Sequence, residues 1–496
     1  MIAAIFLSGA ALAWASDAAS IPAPEVTCRS LAAPGTVAEW RPGDADEPAH
    51  CRVRGVLRPV AGSRIGFELL LPPPSRWTGR FQMLGNGGYS SDLPRPGMRR
   101  SLARGSAVAA TDTGHSGDDP DFARGHPQAI ADWAWRAVHV TAIAAKALVA
   151  RFYQRPADHA YFAGCSTGGH QAMMEAQRFP HDFDGIVAGA PGSNRVRLNA
   201  AFLWQYLSNH RRGDDTAALL SPADLRLLNQ HAQTMCGSAN GGAVGGLASD
   251  QWLNDPLSCH VEPAALACRP GQTNDCLAPE QVAAARAMYR GAPDPRGGAR
   301  VTIPWLPGSE PGWSLYWADP ARPQQPARAN FWRTWAGFGD GWNWWRFSFG
   351  RDLAVAQRRL SPVIDAVNPD LRAFRQRGGK LLQYHGLADP VVSPLDTLAY
   401  RRAMMSRTDP RGGGRWYRLF LVPGMGHCGG GPGFTDFDAQ AAIETWVERG
   451  HAPDRLVAAD AVSRTRPLCP FPARAQYVGG DSARAESYRC ERPALR

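Results

Sequence analysis

The chain has 496 residues, of which 44% are hydrophobic, and its formal net charge is +10. This length exceeds one ordinary domain and suggests a core domain with a large insertion, and the composition excludes a collagen-like or low-complexity protein. Lysine occurs only at Lys146 and Lys380, and the arginines are spread along the chain without a dense basic run. We therefore expect no nucleic acid partner.

The first 15 residues have the features of a secretory signal peptide. A short apolar stretch ends in Ala13-Trp14-Ala15, a small-x-small cleavage site, although no Lys or Arg precedes it. The ten cysteines lack the close Cys and His pairs of a zinc site, so disulfides are expected in an exported chain. No later segment is apolar and long enough to span a membrane. The sequence thus predicts a secreted or periplasmic protein with no membrane partner.

Strands and helices alternate between residues 65 and 189. Apolar patterning and the breakers between them predict strands over 65–71, 81–84, 106–110, 160–163 and 185–189, and helices over 130–153 and 169–179. A glycine loop, Gly85–Gly88, follows the second strand, and the turn Gly164–Gly168 follows the fourth. This alternation predicts an α/β fold with a mainly parallel, doubly wound sheet.

The pattern changes from about residue 192 to residue 361. This stretch holds four cysteines, many Pro and Gly, and most of the Trp, and it indicates an inserted lid with little regular strand order. The sheet pattern returns with strands over 379–384 and 417–422 and a helix over 437–449. We predict a catalytic core of residues 16–191 and 362–496, with a lid domain over 192–361.

Ser166 is the candidate nucleophile. It stands in Gly164-Cys-Ser-Thr-Gly168, which fits the Gly-x-Ser-x-Gly elbow, where small residues are needed because the strand turns sharply into a helix. The pentapeptide alone is weak evidence, and the alternative is an ordinary turn serine. Its position after a predicted strand and before a predicted helix favours the nucleophile.

Asp389 and His427 each follow a predicted strand, and the order Ser, Asp, His is that of α/β-hydrolases. His427 would accept the serine proton, and Asp389 would fix the imidazole tautomer. The alternatives are a turn aspartate before Pro390 and a loop histidine among glycines. The three residues together favour a catalytic triad.

A tetrahedral intermediate also needs backbone N–H donors for its oxyanion. The residue after the nucleophile, Thr167, would supply one, and the glycine loop would supply another from Gly87 or Gly88. The alternative for that loop is a simple turn.

Cysteines adjoin two of the three triad candidates. Cys165 precedes Ser166 and Cys428 follows His427, so the two sulfurs must come close if the triad forms. In an oxidising compartment this favours a disulfide over two unpaired buried thiols.

The chain resembles the tannase and feruloyl esterase family, which includes mono-hydroxyethyl terephthalate hydrolases. The motifs that carry the resemblance are Gly-Cys-Ser166-Thr-Gly-Gly, His-Gly-Leu-Ala-Asp389-Pro and Gly-Met-Gly-His427-Cys-Gly, with Thr111–His115, Asp182–Pro191 and Phe347–Asp352. The resemblance implies an α/β-hydrolase core, a large lid, and hydrolysis of galloyl, feruloyl or related aryl esters, which are small-molecule substrates. It also implies five disulfides, namely Cys165–Cys428, Cys28–Cys51, Cys236–Cys259, Cys268–Cys276 and Cys469–Cys490.

The sequence departs from the family in its calcium loop. Between Cys236 and Asp250, only Asn240 and Asp250 offer strong side-chain oxygen ligands, whereas calcium takes six to eight oxygens. We therefore predict weak calcium binding or none, no other metal site, and no cofactor requirement for catalysis.

The predicted lid carries ten tryptophans: Trp204, Trp252, Trp305, Trp313, Trp317, Trp332, Trp335, Trp342, Trp344 and Trp345. They could form an aromatic wall against a flat acyl group, but the core of an irregular domain is the favoured reading for each one. Arg333 and Arg346 could pair with a substrate carboxylate, although surface positions are favoured for both. A non-catalytic binding module, an acyltransferase and a peptidase on the same fold are the alternatives to an esterase.

Overall fold

The computed structural model describes residues 23–237, 247, 250–295, 297–298, 300–412 and 414–492. The predicted signal peptide, residues 1–15, and Asn240, one of the two possible calcium ligands, lie outside these residues. Within the described part of the chain, no helix is long and apolar enough to cross a membrane.

The large sheet is built from strands that span most of the chain. Its members are β1 (Thr36–Arg41), β2 (His50–Leu57), β3 (Ile65–Leu71), β4 (Arg80–Leu84), β5 (Ala107–Thr111), β6 (His159–Cys165), β7 (Gly185–Gly189), β10 (Lys380–Gly386) and β11 (Tyr417–Val422). The other strands form two-stranded ribbons: β8 (Ala318–Asp319) with β9 (Arg322–Pro326), β12 (Leu456–Ala459) with β13 (Thr465–Leu468), and β14 (Arg474–Tyr477) with β15 (Tyr488–Glu491).

The order of the large sheet is β1-β2-β3-β5-β4-β6-β7-β10-β11. The six strands from β5 to β11 are parallel, while β1, β2 and β3 pair antiparallel at one side. The predicted mainly parallel sheet is therefore confirmed, whereas β1 and β2 were not predicted. Because parallel strands end at the same edge, the residues that follow β6, β10 and β11 lie near one another.

The α-helices are α1 (Pro24–Arg29), α2 (Arg95–Ala103), α3 (Pro127–Ala131), α4 (Ala137–Tyr153), α5 (Thr167–Arg178), α6 (Arg195–Ser208), α7 (Pro222–Cys236), α8 (Pro279–Arg290), α9 (Arg351–Ile364), α10 (Arg372–Gln376), α11 (Pro394–Thr408) and α12 (Ala439–Arg449). Alternate residues of each central strand face opposite layers. In β7, Ile186 and Ala188 pack in a cluster with residues of α4 and α5, while Val187 packs in a cluster with residues of α12. Helices thus cover both faces, as in a doubly wound sheet.

The helix predicted over 130–153 is interrupted. Between α3 and α4, residues Asp132–Arg136 form a wider π-helical turn. This turn places Trp133 in a stacked contact with Tyr89, with ring centroids 4.9 Å apart. Single π-helical turns are often found near functional sites.

The insertion, residues 192–361, lies between β7 and β10 and contains α6, α7, α8 and most of α9. Its described strands are only the short ribbon β8–β9, in agreement with the little strand order that was predicted. The predicted boundary at residue 361 falls inside α9, and the division into a core and a lid stays a prediction.

The structure pairs all ten cysteines as the family resemblance implies. The disulfides are Cys28–Cys51, Cys165–Cys428, Cys236–Cys259, Cys268–Cys276 and Cys469–Cys490. The Cys165–Cys428 bond joins residues 263 positions apart, so it ties the turn after β6 to the loop after β11.

Candidate active site

Ser166 occupies the turn between β6 and α5. Its backbone has φ +62° and ψ −114°, a conformation that residues other than glycine rarely adopt. The strained turn is held because the Ser166 N–H donates to Gly189 O at 3.0 Å and Ser166 O accepts from His170 N at 2.9 Å. This is the geometry that the nucleophile elbow requires, since it projects the hydroxyl above the sheet edge.

Glycines are needed around this turn because backbone segments touch. A Cβ at Gly164 would lie 2.6 Å from the backbone of Gly168, and a Cβ at Gly85 would lie 2.6 Å from the Gly168 Cα. Any side chain at Gly85 or Gly164 would therefore push the strand, the helix or the glycine loop apart. The close packing puts the loop 85–88 directly beside Ser166.

The structure brings Ser166, His427 and Asp389 into one hydrogen-bonded chain. The His427 Nε2 lies 2.8 Å from the Ser166 Oγ, and the His427 Nδ1 lies 2.8 Å from the Asp389 Oδ2. The carboxylate can only accept from Nδ1–H, so the neutral imidazole presents an unprotonated Nε2 to the serine hydroxyl. This is the arrangement in which histidine can remove the serine proton.

Asp389 is fully buried, and donors surround its carboxylate. Oδ1 accepts from the N–H groups of Val391 at 2.8 Å and Val392 at 3.0 Å. Oδ2 contacts His427 and also the Nε2 of His385 at 3.3 Å. Burial opposes the charged form, but the two imidazoles outweigh it and hold the pKa of Asp389 below its usual value.

His385 was quoted within a sequence motif but received no predicted role. Its Nδ1 lies 2.8 Å from Thr397 Oγ1 and its Nε2 lies 2.8 Å from Val392 O, so the ring is fixed inside the loop after β10. The available sequence signal was its position directly at the end of a strand, four residues before Asp389. Because its Nε2 lies beside the Asp389 carboxylate, His385 helps to hold that carboxylate in position.

The glycine loop leaves few backbone N–H groups free. Gly85 N–H donates to Ala163 O, Asn86 N–H to Gln171 Oε1, and Tyr89 N–H to Asp118 Oδ1. Among the described residues, the N–H groups of Gly87 and Gly88 have no acceptor, and neither does that of Thr167 at the start of α5. These are the three predicted oxyanion donors, and the helix N-terminus adds positive potential beside them.

Six tryptophans of the insertion are buried, as the core interpretation favours: Trp252, Trp305, Trp313, Trp317, Trp332 and Trp335. Trp204, Trp342, Trp344 and Trp345 are half-buried. The indole N–H groups of Trp344 and Trp345 both donate to Asp215 Oδ1 at 3.0 Å, and that of Trp204 donates to Ala287 O at 2.9 Å. These contacts are internal to the insertion and give no direct sign of a substrate wall.

The two candidate arginines of the insertion differ in their surroundings. Arg333 donates to Gln325 Oε1 at 3.0 Å and lies over the ring of Trp344. Arg346 is exposed. The contacts of Arg333 and the exposure of Arg346 do not place either residue beside Ser166, so a role toward a substrate carboxylate stays a prediction for both.

The described residues of the stretch that corresponds to the family's calcium loop do not fit a calcium site. Asp250 Oδ2 accepts from Leu247 N at 3.0 Å, Asn254 Nδ2 at 3.0 Å and Arg466 Nη1 at 2.8 Å, and its Oδ1 accepts from Arg466 Nη2 at 3.1 Å. A carboxylate already filled by donors, one of them a guanidinium, offers little to a divalent ion. Arg466 thus neutralises the charge that a cation would.

One group of possible metal ligands occurs elsewhere among the described residues. His139, Glu175 and Asp182 each place a ligand atom within 4.8 Å of the others. The Lys146 ammonium donates to Asp182 O beside them, and burial raises the pKa of Glu175 well above its usual value. The Lys146 ammonium and the His139 imidazole therefore already contact Asp182 of this group, which lies near the end of α5 away from Ser166.

Comparison with known proteins shows extensive similarity. The family model described as tannase and feruloyl esterase matches residues 51–324 and 347–491. An uncharacterized esterase of Xanthomonas campestris pv. campestris is 34% identical over 496 residues, which cover 89% of this chain and 84% of the relative. The mono(2-hydroxyethyl) terephthalate hydrolase of Piscinibacter sakaiensis is 34% identical over 539 residues, which cover 92% of this chain and 88% of that enzyme.

Solved structures are similar over the same extent. The crystal structure of feruloyl esterase B from Aspergillus oryzae matches with a TM-score of 0.83 and 25% identity, and the match covers 94% of this chain and 100% of that one. The similarity includes both the sheet and the insertion, since it spans nearly all of both chains. The predicted α/β-hydrolase fold is thereby confirmed.

Proposed function

The chain belongs to the tannase and feruloyl esterase family and is a carboxylic ester hydrolase, and on this premise we propose that it is a serine esterase with Ser166 as nucleophile. The observation that carries the proposal is the hydrogen-bonded chain from Ser166 Oγ through His427 to the buried Asp389. It lies at the carboxyl edge of the sheet, where open α/β sheets bind ligands.

In the first half of the reaction, His427 Nε2 removes the Ser166 hydroxyl proton while Oγ attacks the ester carbonyl carbon. The carbonyl oxygen becomes an oxyanion, which accepts hydrogen bonds from the N–H groups of Thr167 and of Gly88 or Gly87. The tetrahedral intermediate then breaks its bond to the alcohol oxygen. His427 donates the proton to that oxygen, and the acyl group remains on Ser166.

In the second half, water replaces the alcohol. His427 Nε2 removes a proton from the water as its oxygen attacks the acyl carbon, and a second tetrahedral oxyanion forms at the same donors. Collapse breaks the bond to Ser166 Oγ, which recovers the proton from His427, and the carboxylic acid leaves. Asp389 stays ionised throughout and stabilises the imidazolium, as the low pKa of this carboxyl supports.

We propose esters of aromatic carboxylic acids as the substrates. The support comes from the relatives, which include feruloyl esterases and a terephthalate hydrolase whose names specify aromatic acids. The reaction needs no metal in this scheme, and the saturated Asp250 carboxylate supports the prediction of weak or absent calcium. Five disulfides support an oxidising location, secreted or periplasmic.

A panel of esters, assayed with the wild type and two serine variants, tests both the proposed nucleophile and the proposed substrate class. Methyl ferulate, methyl gallate, mono(2-hydroxyethyl) terephthalate and an aliphatic methyl ester are compared on wild type, on Ser166→Ala, and on Ser482→Ala as an exposed-serine control. Ser166→Ala is expected to lose at least about 10³-fold in kcat/KM, and the aromatic esters are expected to exceed the aliphatic one. Full activity of Ser166→Ala would contradict the assignment of Ser166 as the nucleophile.

Adding a fluorophosphonate label, an alcohol acceptor and a matching amide to this experiment distinguishes the alternatives. A binding module would show no turnover and no covalent labelling of Ser166 by a fluorophosphonate. An acyltransferase would form mainly a new ester when an alcohol acceptor is added, and a peptidase would turn over the matching amide at a comparable rate.

A further inference from the structure

Arg195, at the start of α6, is a buried cation without a direct ion pair. Its residue is only 4% exposed, and among the described residues no carboxylate forms a salt bridge with its guanidinium. Asp365 attracts it only at longer range, through a carboxylate that accepts from the backbone N–H groups of Arg195 and Val196. The buried Nε–H of Arg195 also has no hydrogen-bond partner. Burying an unpaired charge is costly, so a residue of this kind needs a specific reason to be there.

Aromatic rings provide most of its surroundings. The guanidinium carbon lies 4.9 Å from the ring centroid of Trp133 and 6.0 Å from that of Tyr89. Ring faces stabilise a cation only in part, and burial accordingly lowers the pKa of Arg195 from its usual value. The rings and the more distant Asp365 therefore offset only part of the cost of burying this charge.

The hydrogen bond that Arg195 does make points to the active site. Its Nη2 donates to the Thr167 Oγ1, the side chain of the residue directly after Ser166. Because the hydroxyl accepts from the guanidinium, its own hydrogen is free for another acceptor, and Oγ1 lies 2.6 Å from Gly88 O. A continuous relay thus runs from Arg195 through Thr167 to the glycine loop.

The relay ends on a peptide group that is held at both of its polar atoms. The carbonyl of Gly88 accepts from Thr167, and the N–H of the same peptide group, that of Tyr89, donates to Asp118 Oδ1 at 2.7 Å. Asp118 is in turn held by Arg328 of the insertion, whose Nη2 lies 3.0 Å from its Oδ2. This fixes the peptide plane that follows Gly88, which is next to the plane that carries the Gly88 N–H.

We propose that Arg195 is a positioning residue, which acts through Thr167 to hold the two segments that supply the oxyanion donors and whose charge favours the oxyanion. The proposal rests on the proposed esterase function. It explains why a guanidinium is buried here, since a negative charge appears beside Thr167 only when the tetrahedral intermediate forms. A preorganised cation that has no direct ion pair in the ground state stabilises the intermediate more than the substrate.

Two single variants and their combination test the relay. Arg195→Met keeps the length and apolar bulk without the charge, and Thr167→Val keeps the shape without the hydroxyl, while the Thr167 N–H remains. Each is expected to lower kcat by about 10- to 100-fold with KM changed by less than about threefold. Because both act through one hydroxyl, the double variant is expected to be no slower than the slower single variant.

Conservative variants and a matched control separate positioning from general damage. Thr167→Ser retains the hydroxyl and is expected to recover most of the kcat that Thr167→Val loses, and Arg195→Lys is expected to recover part of the loss seen in Arg195→Met. Arg178→Met is the control, because Arg178 also lies over a tryptophan ring, Trp135 at 5.5 Å, but at the other end of α5. It is expected to leave kcat unchanged.

Phenylboronic acid gives a readout that a structural role would not move. It forms a tetrahedral anionic adduct on serine, so its inhibition constant is expected to rise in Arg195→Met in proportion to the loss in kcat. The proposal is overturned if folded Arg195→Met keeps its kcat, if the losses multiply in the double variant, or if boronate affinity is unchanged. If Arg195→Met does not fold, the comparison of Thr167→Val with Thr167→Ser still tests the relay. If Ser166→Ala is inactive while the Arg195 and Thr167 variants keep their kcat, the positioning role is wrong and the proposed esterase function is retained.

Discussion

Replacing Asp389 by asparagine changes one atom of the proposed triad and should nearly stop the reaction. Oδ1 of Asp389 accepts from the N–H groups of Val391 and Val392, so the asparagine carbonyl is expected to take that place. Its NH₂ then faces the His427 Nδ1, 2.8 Å away in the wild type. The imidazole must move its proton to Nε2 to accept this donor, and Nε2–H cannot accept the proton of Ser166.

The opposite orientation of the asparagine amide is also unfavourable. It would set the NH₂ against two backbone N–H groups, and each buried donor left unpaired costs about 1–3 kcal/mol. The wrong tautomer is therefore the favoured state of Asp389→Asn. A loss of about 10⁴-fold in kcat is expected, equivalent to about 5.4 kcal/mol at 1.36 kcal/mol per tenfold.

Steady-state kinetics on a nitrophenyl ester between pH 5 and pH 10 measure this loss, together with the melting temperature. Asp396→Asn is the matched control, since Asp396 lies in the first turn of α11 and makes no hydrogen bond with His427 among the described contacts. A folded Asp389→Asn enzyme within tenfold of wild type would refute the tautomer argument. So would an equal loss in the control.

Three further predictions follow from buried contacts. Burial raises the pKa of Glu310 to about 7, so the folded state keeps the Glu310 proton to a higher pH than the unfolded chain, and the free energy of unfolding should fall as pH rises from about 4.5 to 7. Melting temperatures of the wild type and of Glu310→Gln, measured across this pH range, test the prediction, because the variant should lose this pH dependence. Gly85→Ala should lower kcat by about 10²-fold, because its Cβ would lie 2.6 Å from the Gly168 Cα, whereas Gly341→Ala, which meets nothing within 4 Å, should not. Metal analysis should find no stoichiometric calcium, and EDTA should leave the melting temperature unchanged, since Arg466 already pairs with Asp250; stoichiometric calcium would contradict this.

The hydrogen-bonded arrangement of Ser166, His427 and Asp389 could be anticipated because each residue has a local sequence signal. Ser166 lies in a glycine-flanked turn, and Asp389 and His427 each follow an apolar strand, so position and chemistry coincide in the sequence. The adjoining cysteines gave a second, independent indication that two of these turns meet. Parallel strands then bring all three to one edge without further information.

Two strands on the antiparallel side of the sheet, β1 and β2, were missed, and their sequence signals differ. In β2, buried Cys51 and Val53 alternate with more exposed Arg52 and Arg54, so a period-two signal was present in the sequence. β1 lies at the edge of the sheet, and its residues are half-buried or exposed throughout, so it has no such alternation. Edge strands are specified by pairing with a neighbour more than by their own pattern.

Arg195 could not be recognised from the sequence. It is one of 54 Lys and Arg residues, and charged side chains are almost always exposed. Its burial results from three segments that are distant in sequence, those carrying Tyr89, Trp133 and Thr167. A contact of this kind is a property of the tertiary structure and leaves no local periodicity.

The insertion supports both halves of the site although no triad member lies in it. Trp305 Nε1 donates to Pro390 O at 2.7 Å, next to Asp389, and Arg328 holds Asp118, which fixes the peptide after Gly88. The first contact bears on the orientation of the acid, and the second bears on the proposed oxyanion donors. Because the proposed mechanism uses both, changes in the insertion should alter kcat as well as substrate preference, whereas a lid that only covered the substrate would affect substrate preference alone.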